Sequence, residues 1–375
     1  MSSLTKTVLR NLRDKIRRTN LEIGEAGLGK PTPSPPRIKG ASADRTYRVA
    51  VVGAGNQGIA HCIGLTAIKG IEIAGLADVN GEKLDAAAER LRLAKAACFP
   101  DASQMLEKLG AVDLFSVATT SPHHVALGRL ALQAGVKRIL LEKPIDNSLA
   151  AAKAFLKEAS GQGVAVWVNY SRRWMLDFRA VKRCIDRGMI GCPRSITITI
   201  GKGELAMHAS HYFDLCRYIF NSDAAWGMGF LEPVKHPNPR GTQYEDPSGY
   251  CLFTFQNGAR AFVDFSSDFS EKDPILTIKG TTGKIVVDEF NWFWTVQDLA
   301  HRVWKMPFTE TMKSSVVLPR VVCSILSDEA EGCSIQDGIA ALEMVVASHL
   351  SHRAGGTPIH LPLSEQEYDL GLTFP

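Results

Sequence analysis

No apolar run in the 375 residues approaches the ~18 that a membrane-crossing helix needs, which excludes a polytopic membrane protein. The eight cysteines (Cys62, Cys98, Cys184, Cys192, Cys216, Cys251, Cys323 and Cys333) form no CxxC pair, and no Cys/His cluster has zinc spacing, so no metal is expected. No secretory signal is visible, and most of these cysteines sit among apolar neighbours, as buried free thiols do. A reducing cytoplasm is therefore the expected compartment. Charge of one sign is also scarce. The net charge is +4, with 22% charged and 45% hydrophobic residues, which excludes collagen, coiled coil and full-length disorder. The excess that exists is local. Residues 1–46 carry ten Lys/Arg against four Asp/Glu, while the rest holds 33 basic and 35 acidic residues. The body is mildly acidic, so nucleic acid is not an expected partner.

What is present falls into three segments: a basic arm and Pro-rich linker (1–46), a segment of alternating strands and helices (47–168), and a strand-rich remainder (169–375). In the arm, Leu4, Val8, Leu12 and Ile16 recur every four residues among Lys and Arg, which puts an apolar stripe on a short basic helix. Packing on the body or on a neighbouring subunit, lying on a membrane surface, and serving as a transit peptide all remain open for it. Lys30 to Pro36 reads as linker. From Tyr47, short apolar runs (Tyr47–Val52, Ile71–Ala77, Asp113–Ala118, Lys137–Leu141, Val164–Val168) alternate with helical patterns near 57–67, 82–94, 122–135 and 147–160. That alternation predicts βαβ units and a buried parallel sheet. After about residue 170, helical patterns near 174–188 and 208–220 accompany strand-like runs at 195–200, 224–231, 249–255, 259–266, 275–279 and 284–288. Clustered strands predict a mixed or antiparallel sheet, and two helical stretches, 317–330 and 335–353, close the chain. The fold class expected is α/β: an N-terminal Rossmann domain plus a C-terminal α/β domain with a large open sheet.

Gly53-Ala54-Gly55-Asn56-Gln57-Gly58 fits GxGxxG, between a predicted strand and a predicted helix. Gly53 suits the tight turn, Gly55 a close approach to pyrophosphate and Gly58 helix–strand packing. The helix N-terminus offers N–H groups to phosphate. Asp78 ends the next strand, 20 residues after Gly58, where a ribose ligand is expected. Its charge would repel a 2′-phosphate, so NAD is favoured over NADP.

With these residues in place, the chain resembles the glucose–fructose oxidoreductase / inositol dehydrogenase / rhizopine-catabolism (Gfo/Idh/MocA) family from about residue 47 to 365. The resemblance is carried by Val51–Gly58, by Ser116-Val117-Ala118-Thr119-Thr120-Ser121-Pro122-His123-His124, by Leu141-Glu142-Lys143-Pro144 and by His211-Tyr212-Phe213-Asp214. Ser334–Gly338 and Ile359–Leu363 look familial too. It implies a Rossmann domain, a second domain whose open sheet mediates dimers or tetramers, and NAD-dependent redox chemistry on a ring carbon of a sugar, sugar acid, nucleotide sugar or inositol. Two alternatives share the scaffold: a sugar enzyme that uses NAD transiently for elimination or glycoside cleavage, and an impaired NAD- or metabolite-binding regulator.

Lys143 is expected to project from a strand's carboxyl end and stabilise charge on the reacting oxygen. His211 is the expected general base. Asp214, three residues on, lies on the same helical face and is a candidate to orient it; His208 is a candidate for a supporting polar role. The sequence departs from the family where an acid precedes the histidine, since Met207 and His208 stand there. Asn56, Gln57, Thr120, Pro122, His123 and Glu142 are further expected cofactor contacts. Tyr170, Arg172, Arg173 and Trp174 are expected to face substrate, with an arginine binding an anionic group or with the pair solvent-exposed and the tryptophan in the core. The aromatic stretch Phe290-Asn291-Trp292-Phe293-Trp294 is read as sheet packing or a subunit interface.

Overall fold

Val, Ile and Leu dominate Tyr47–Val52, Leu114–Val117 and Arg138–Leu141, strands of the first sheet in which every residue but Arg48 and Arg138 is buried. The computed structural model describes residues 36–375 except 41, 43–44, 235–236, 268–271, 330–331 and 369. The amphipathic basic helix expected near the N-terminus lies outside the described residues, as does the linker up to residue 35.

The first sheet holds β1 (Tyr47–Val52), β2 (Ile71–Ala77), β3 (Cys98–Phe99), β4 (Leu114–Val117), β5 (Arg138–Leu141) and β6 (Ala165–Val168), in the order β3-β2-β1-β4-β5-β6. All its pairings are parallel. Helices connect the strands: α1 (Asn56–Thr66), α2 (Gly81–Leu91), α3 (Ala102–Leu109), α4 (His124–Gln133) and α5 (Leu149–Gly161). The strand order reverses between β1 and β4, the place where open α/β sheets bind ligands.

The second sheet has nine strands in the order β14-β13-β12-β11-β7-β10-β9-β8-β15. They are β7 (Pro193–Gly201), β8 (Ala224–Leu231), β9 (Gly249–Phe255), β10 (Arg260–Asp264), β11 (Lys272–Gly280), β12 (Gly283–Asp288), β13 (Phe293–Asp298), β14 (Val303–Pro307) and β15 (Ile359–His360). Among the described residues of this sheet, only β7 and β10 pair in parallel. Around the sheet run α6 (Leu176–Asp186), α7 (Ser210–Phe220), α8 (Ser314–Leu326) and α9 (Ile335–Arg353). β9 alternates buried and open positions. Phe253 meets Phe213 of α7 and Phe255 meets Phe220, each ring pair 4.9 Å apart, while Tyr250 and Leu252 face outward. α9 starts on a capping box made by Ser334 and Asp337, and a bridge from Trp167 to Ser334 ties its entry to β6.

Candidate functional site

The glycine turn after β1 opens a cavity of 760 Å³ at the carboxyl ends of the parallel strands. Gly53 has φ +103°, and a Cβ there would stand 2.5 Å from the Ala118 carbonyl oxygen. A Cβ on Gly58 would stand 1.7 Å from the Gly53 oxygen, whereas one on Gly55 would meet nothing within 4 Å. Gly58 thus serves helix–strand packing behind the turn, and Gly55 leaves the space that a dinucleotide's phosphates require. Asp78 accepts the Ala54 N–H at 2.6 Å and the Asn80 N–H at 2.8 Å, so its carboxylate is fixed at the cavity wall. Asn56, Gln57, Thr120, His123 and Glu142 face the same space. Pro122 does not: it lies within the short turn Ser121–His123 and shapes the wall from behind. An open cradle, a helix N-terminus and a fixed acid together fit a dinucleotide.

Glu142 is buried. Its Oε1 accepts from His61 Nε2 (2.8 Å) and Asn169 Nδ2 (2.6 Å). Burial alone would raise its pKa, but the His61 hydrogen bond and the charges of His61 and Lys143 pull it to about 2. Next to it, Lys143 reaches across to the second domain and donates to the Met207 carbonyl at 2.9 Å. Burial lowers its pKa to about 8, with Arg240 and Arg172 adding to the effect of burial and Glu142 opposing it.

Lys143 also faces a second cavity of 570 Å³, lined by Arg172, His208, His211, Arg240 and Lys272 among others. His211 stands edge-on to Tyr170, ring centroids 5.7 Å apart, and its buried Nδ1 has no hydrogen-bond partner among the described residues. Burial holds its pKa well below the usual histidine range, reinforced by Lys143 and Arg172, so the ring is neutral at physiological pH. His208 pairs through Nδ1 with Glu204, while its Nε2 lies 2.6 Å from Lys272 Nζ.

Several expected roles change. Asp214 does not orient His211: both its oxygens accept from Arg173 at 2.7 Å, because that guanidinium is buried against α7. Arg173 also reaches Asp337 at 3.1 Å, so it is committed to holding α7 and α9 and does not face the second cavity. Trp174 is 2% exposed and lies in the core beside Arg173, away from that cavity. Tyr170 is fully buried and backs the His211 ring rather than lining the cavity. Arg172 does line it, but through Nε (3.0 Å) and Nη2 (2.8 Å) it is already bidentate on Glu289. The aromatic stretch divides. Trp294 is core sheet packing, whereas Phe290 and Trp292 face the cavity.

The sequence reading did not find Asp246. It is buried, and accepts the N–H groups of Ala206 (2.8 Å) and Met207 (2.9 Å), pinning the π-helical turn Leu205–Ala209 that presents the Met207 carbonyl to Lys143. Burial pushes its pKa up to about 7. No motif marks it, because its partners lie about 40 residues away in sequence.

Residues 47–170 match the family model described as an oxidoreductase family with an NAD-binding Rossmann fold. A D-apiose dehydrogenase of Paraburkholderia graminis is 35% identical over 47% of this chain, which spans half the length of that relative. A myo-inositol 2-dehydrogenase of Thermotoga maritima is 24% identical over 64% of this chain and 75% of its own. The fold matches an inositol dehydrogenase homologue of Azotobacter vinelandii solved with NADH and myo-inositol, at TM-score 0.73 and 16% identity, covering 84% of this chain and 98% of that one. Residues 47–170 thus form an NAD-binding Rossmann domain similar to that of the Gfo/Idh/MocA oxidoreductases, and the rest of the chain shares the fold of the solved neighbours.

Proposed function

We propose that the protein is an NAD-dependent dehydrogenase acting on a ring-carbon hydroxyl of a sugar, sugar acid, nucleotide sugar or inositol. The observation that carries this reading is Lys143, whose side chain faces both the dinucleotide cavity and the adjoining one. Bound in the first cavity, NAD supplies the hydride acceptor. Lys143 Nζ, released from the Met207 carbonyl, donates to the alcohol oxygen and stabilises the charge that develops there. His211 is neutral, so its ring can take the hydroxyl proton. Relatives named as D-apiose and myo-inositol dehydrogenases support the substrate class.

The working unit in this reading is a homodimer or homotetramer in the cytoplasm. Its interface is the outer face of the second sheet, where Phe230 and Tyr250 stack at 5.0 Å and Leu252 is 38% exposed. All eight cysteines are free, in keeping with a reducing compartment.

The test is to incubate purified protein and NAD with a panel of sugars, sugar acids, inositols and nucleotide sugars and to follow absorbance of the reduced nicotinamide. Net NADH with one substrate class supports the dehydrogenase. Tightly bound cofactor with product but no net NADH moves the assignment to transient redox chemistry. Absence of NAD binding overturns the reading.

A further inference from the structure

Among the described residues, the side chains lining the second cavity carry more positive than negative charge. Its carboxylates are already engaged: Glu289 by Arg172, and Glu142 by His61 and Asn169. Behind the wall, Glu204 pairs with His208 and its charge also reaches Lys272 and Arg240, and Asp246 accepts two main-chain N–H groups. Lys143, Arg240 and Lys272 remain facing the space. Arg240 lines both cavities at their junction, and its guanidinium has no ion-pair or hydrogen-bond partner among the described residues. The nearest polar contact of Lys272 is a histidine nitrogen, 2.6 Å away.

The cations are felt by their neighbours. After burial, Arg240 is a further cause lowering the pKa of both Lys143 and Lys272, and Lys143 and Arg172 do the same to His211. A pocket with a positive interior recruits and orients an anion. The other wall is apolar, with Phe290, Trp292 and Met312, and suits the C–H face of a ring.

We propose that the second cavity selects a polyhydroxy substrate carrying an acidic group, a carboxylate or a phosphate, which seats against Arg240 and Lys272 while the ring hydroxyl to be oxidised reaches Lys143. The proposal rests on the dehydrogenase reading and narrows it. A charge-assisted contact of this kind separates an acid from its neutral counterpart by on the order of tenfold or more.

The test compares kcat/KM for matched pairs at fixed NAD: D-glucuronate and D-glucose 6-phosphate against D-glucose, and D-galacturonate against D-galactose. The acidic member is expected to lead by about tenfold or more. In Arg240→Ala that ratio should collapse toward one, and in Arg240→Glu it should invert, with the NAD dissociation constant held within a factor of about two. Which acid leads tells carboxylate from phosphate. Neutral members preferred throughout would overturn the proposal. So would an Arg240→Ala loss that falls equally on both members together with weakened NAD binding, since Arg240 would then serve the cofactor. A binding arm separates this failure from failure of the dehydrogenase reading. D-glucuronate, D-glucose 6-phosphate and D-glucose are titrated calorimetrically into the protein–NADH complex. Acid-selective binding that is lost in Arg240→Ala, without turnover of any sugar, sustains the anion site and sinks the dehydrogenase. Absence of such selectivity sinks the anion site.

Discussion

At Lys143 two opposed effects set one proton. Burial and neighbouring cations bring its pKa to about 8, while Glu142 resists. The ammonium is the form that donates to a developing alkoxide, so it is fully present below about pH 8 and lost as pH rises through that value. Alcohol oxidation should accordingly show a falling limb near pH 8 in kcat/KM. Lys143→Ala should lower turnover by roughly 10²–10³-fold with NAD affinity little changed, as checked by steady-state kinetics and cofactor titration. Asp246 acts on the same proton from behind. Its carboxylate favours the charged lysine, so Asp246→Asn should move the falling limb to lower pH. It should also leave one N–H of the Leu205–Ala209 turn without its carboxylate acceptor, a loss of about 1–3 kcal/mol visible as a lower Tm. An Asp246 that merely braced the turn would lower Tm and leave the limb where it was.

Among the elements, the glycine turn separates folding from binding. Gly58→Ala drives a Cβ into the Gly53 oxygen and should lower Tm along with NAD affinity. Gly55→Ala meets no protein atom, so it should keep Tm and weaken NAD binding alone, which calorimetry and thermal melts together would reveal. Such turns are legible in a sequence because glycine reports local backbone demands. The strands were legible for a similar reason. Tyr47–Val52 and Ile71–Ala77 are continuous apolar runs and appear as β1 and β2 with those bounds. β13 and β14 were not foreseen, since their polar–apolar mixture resembles loop and their pairing is set by β12. The partners of the site arginines were hidden by distance. Arg172 meets Glu289 117 residues on, and Arg173 meets Asp214 and Asp337. No periodicity near Arg173 signals that two distant carboxylates will take it. Spacing put Asp214 on the His211 side of α7, and the Arg173 charge decided its contact instead.

At the scale of the whole molecule, the proposed homo-oligomer puts its interface on the outer face of the second sheet. Tyr250 and Leu252 sit on it at 38% exposure each. Replacing both, Tyr250→Arg with Leu252→Glu, should convert the assembly to monomers in light scattering while leaving the monomer folded, because neither side chain enters the core beneath. A wild-type chain that is already monomeric at micromolar concentration would remove this face from the assembly. The Rossmann domain and the second domain meet across the cleft that holds both cavities, and the hydrogen bond from Lys143 to the Met207 carbonyl spans it. That bond works as a latch whose catch is main chain. For the lysine to reach a substrate alcohol this bond must open, so the readiness of the site is tied to the place of Met207. Since every amino acid brings the same carbonyl, position 207 is free to drift in side chain without loosening the latch, and scanning it with alanine would leave the catch in place. An ester in place of the peptide bond after Met207 is the change that would weaken it.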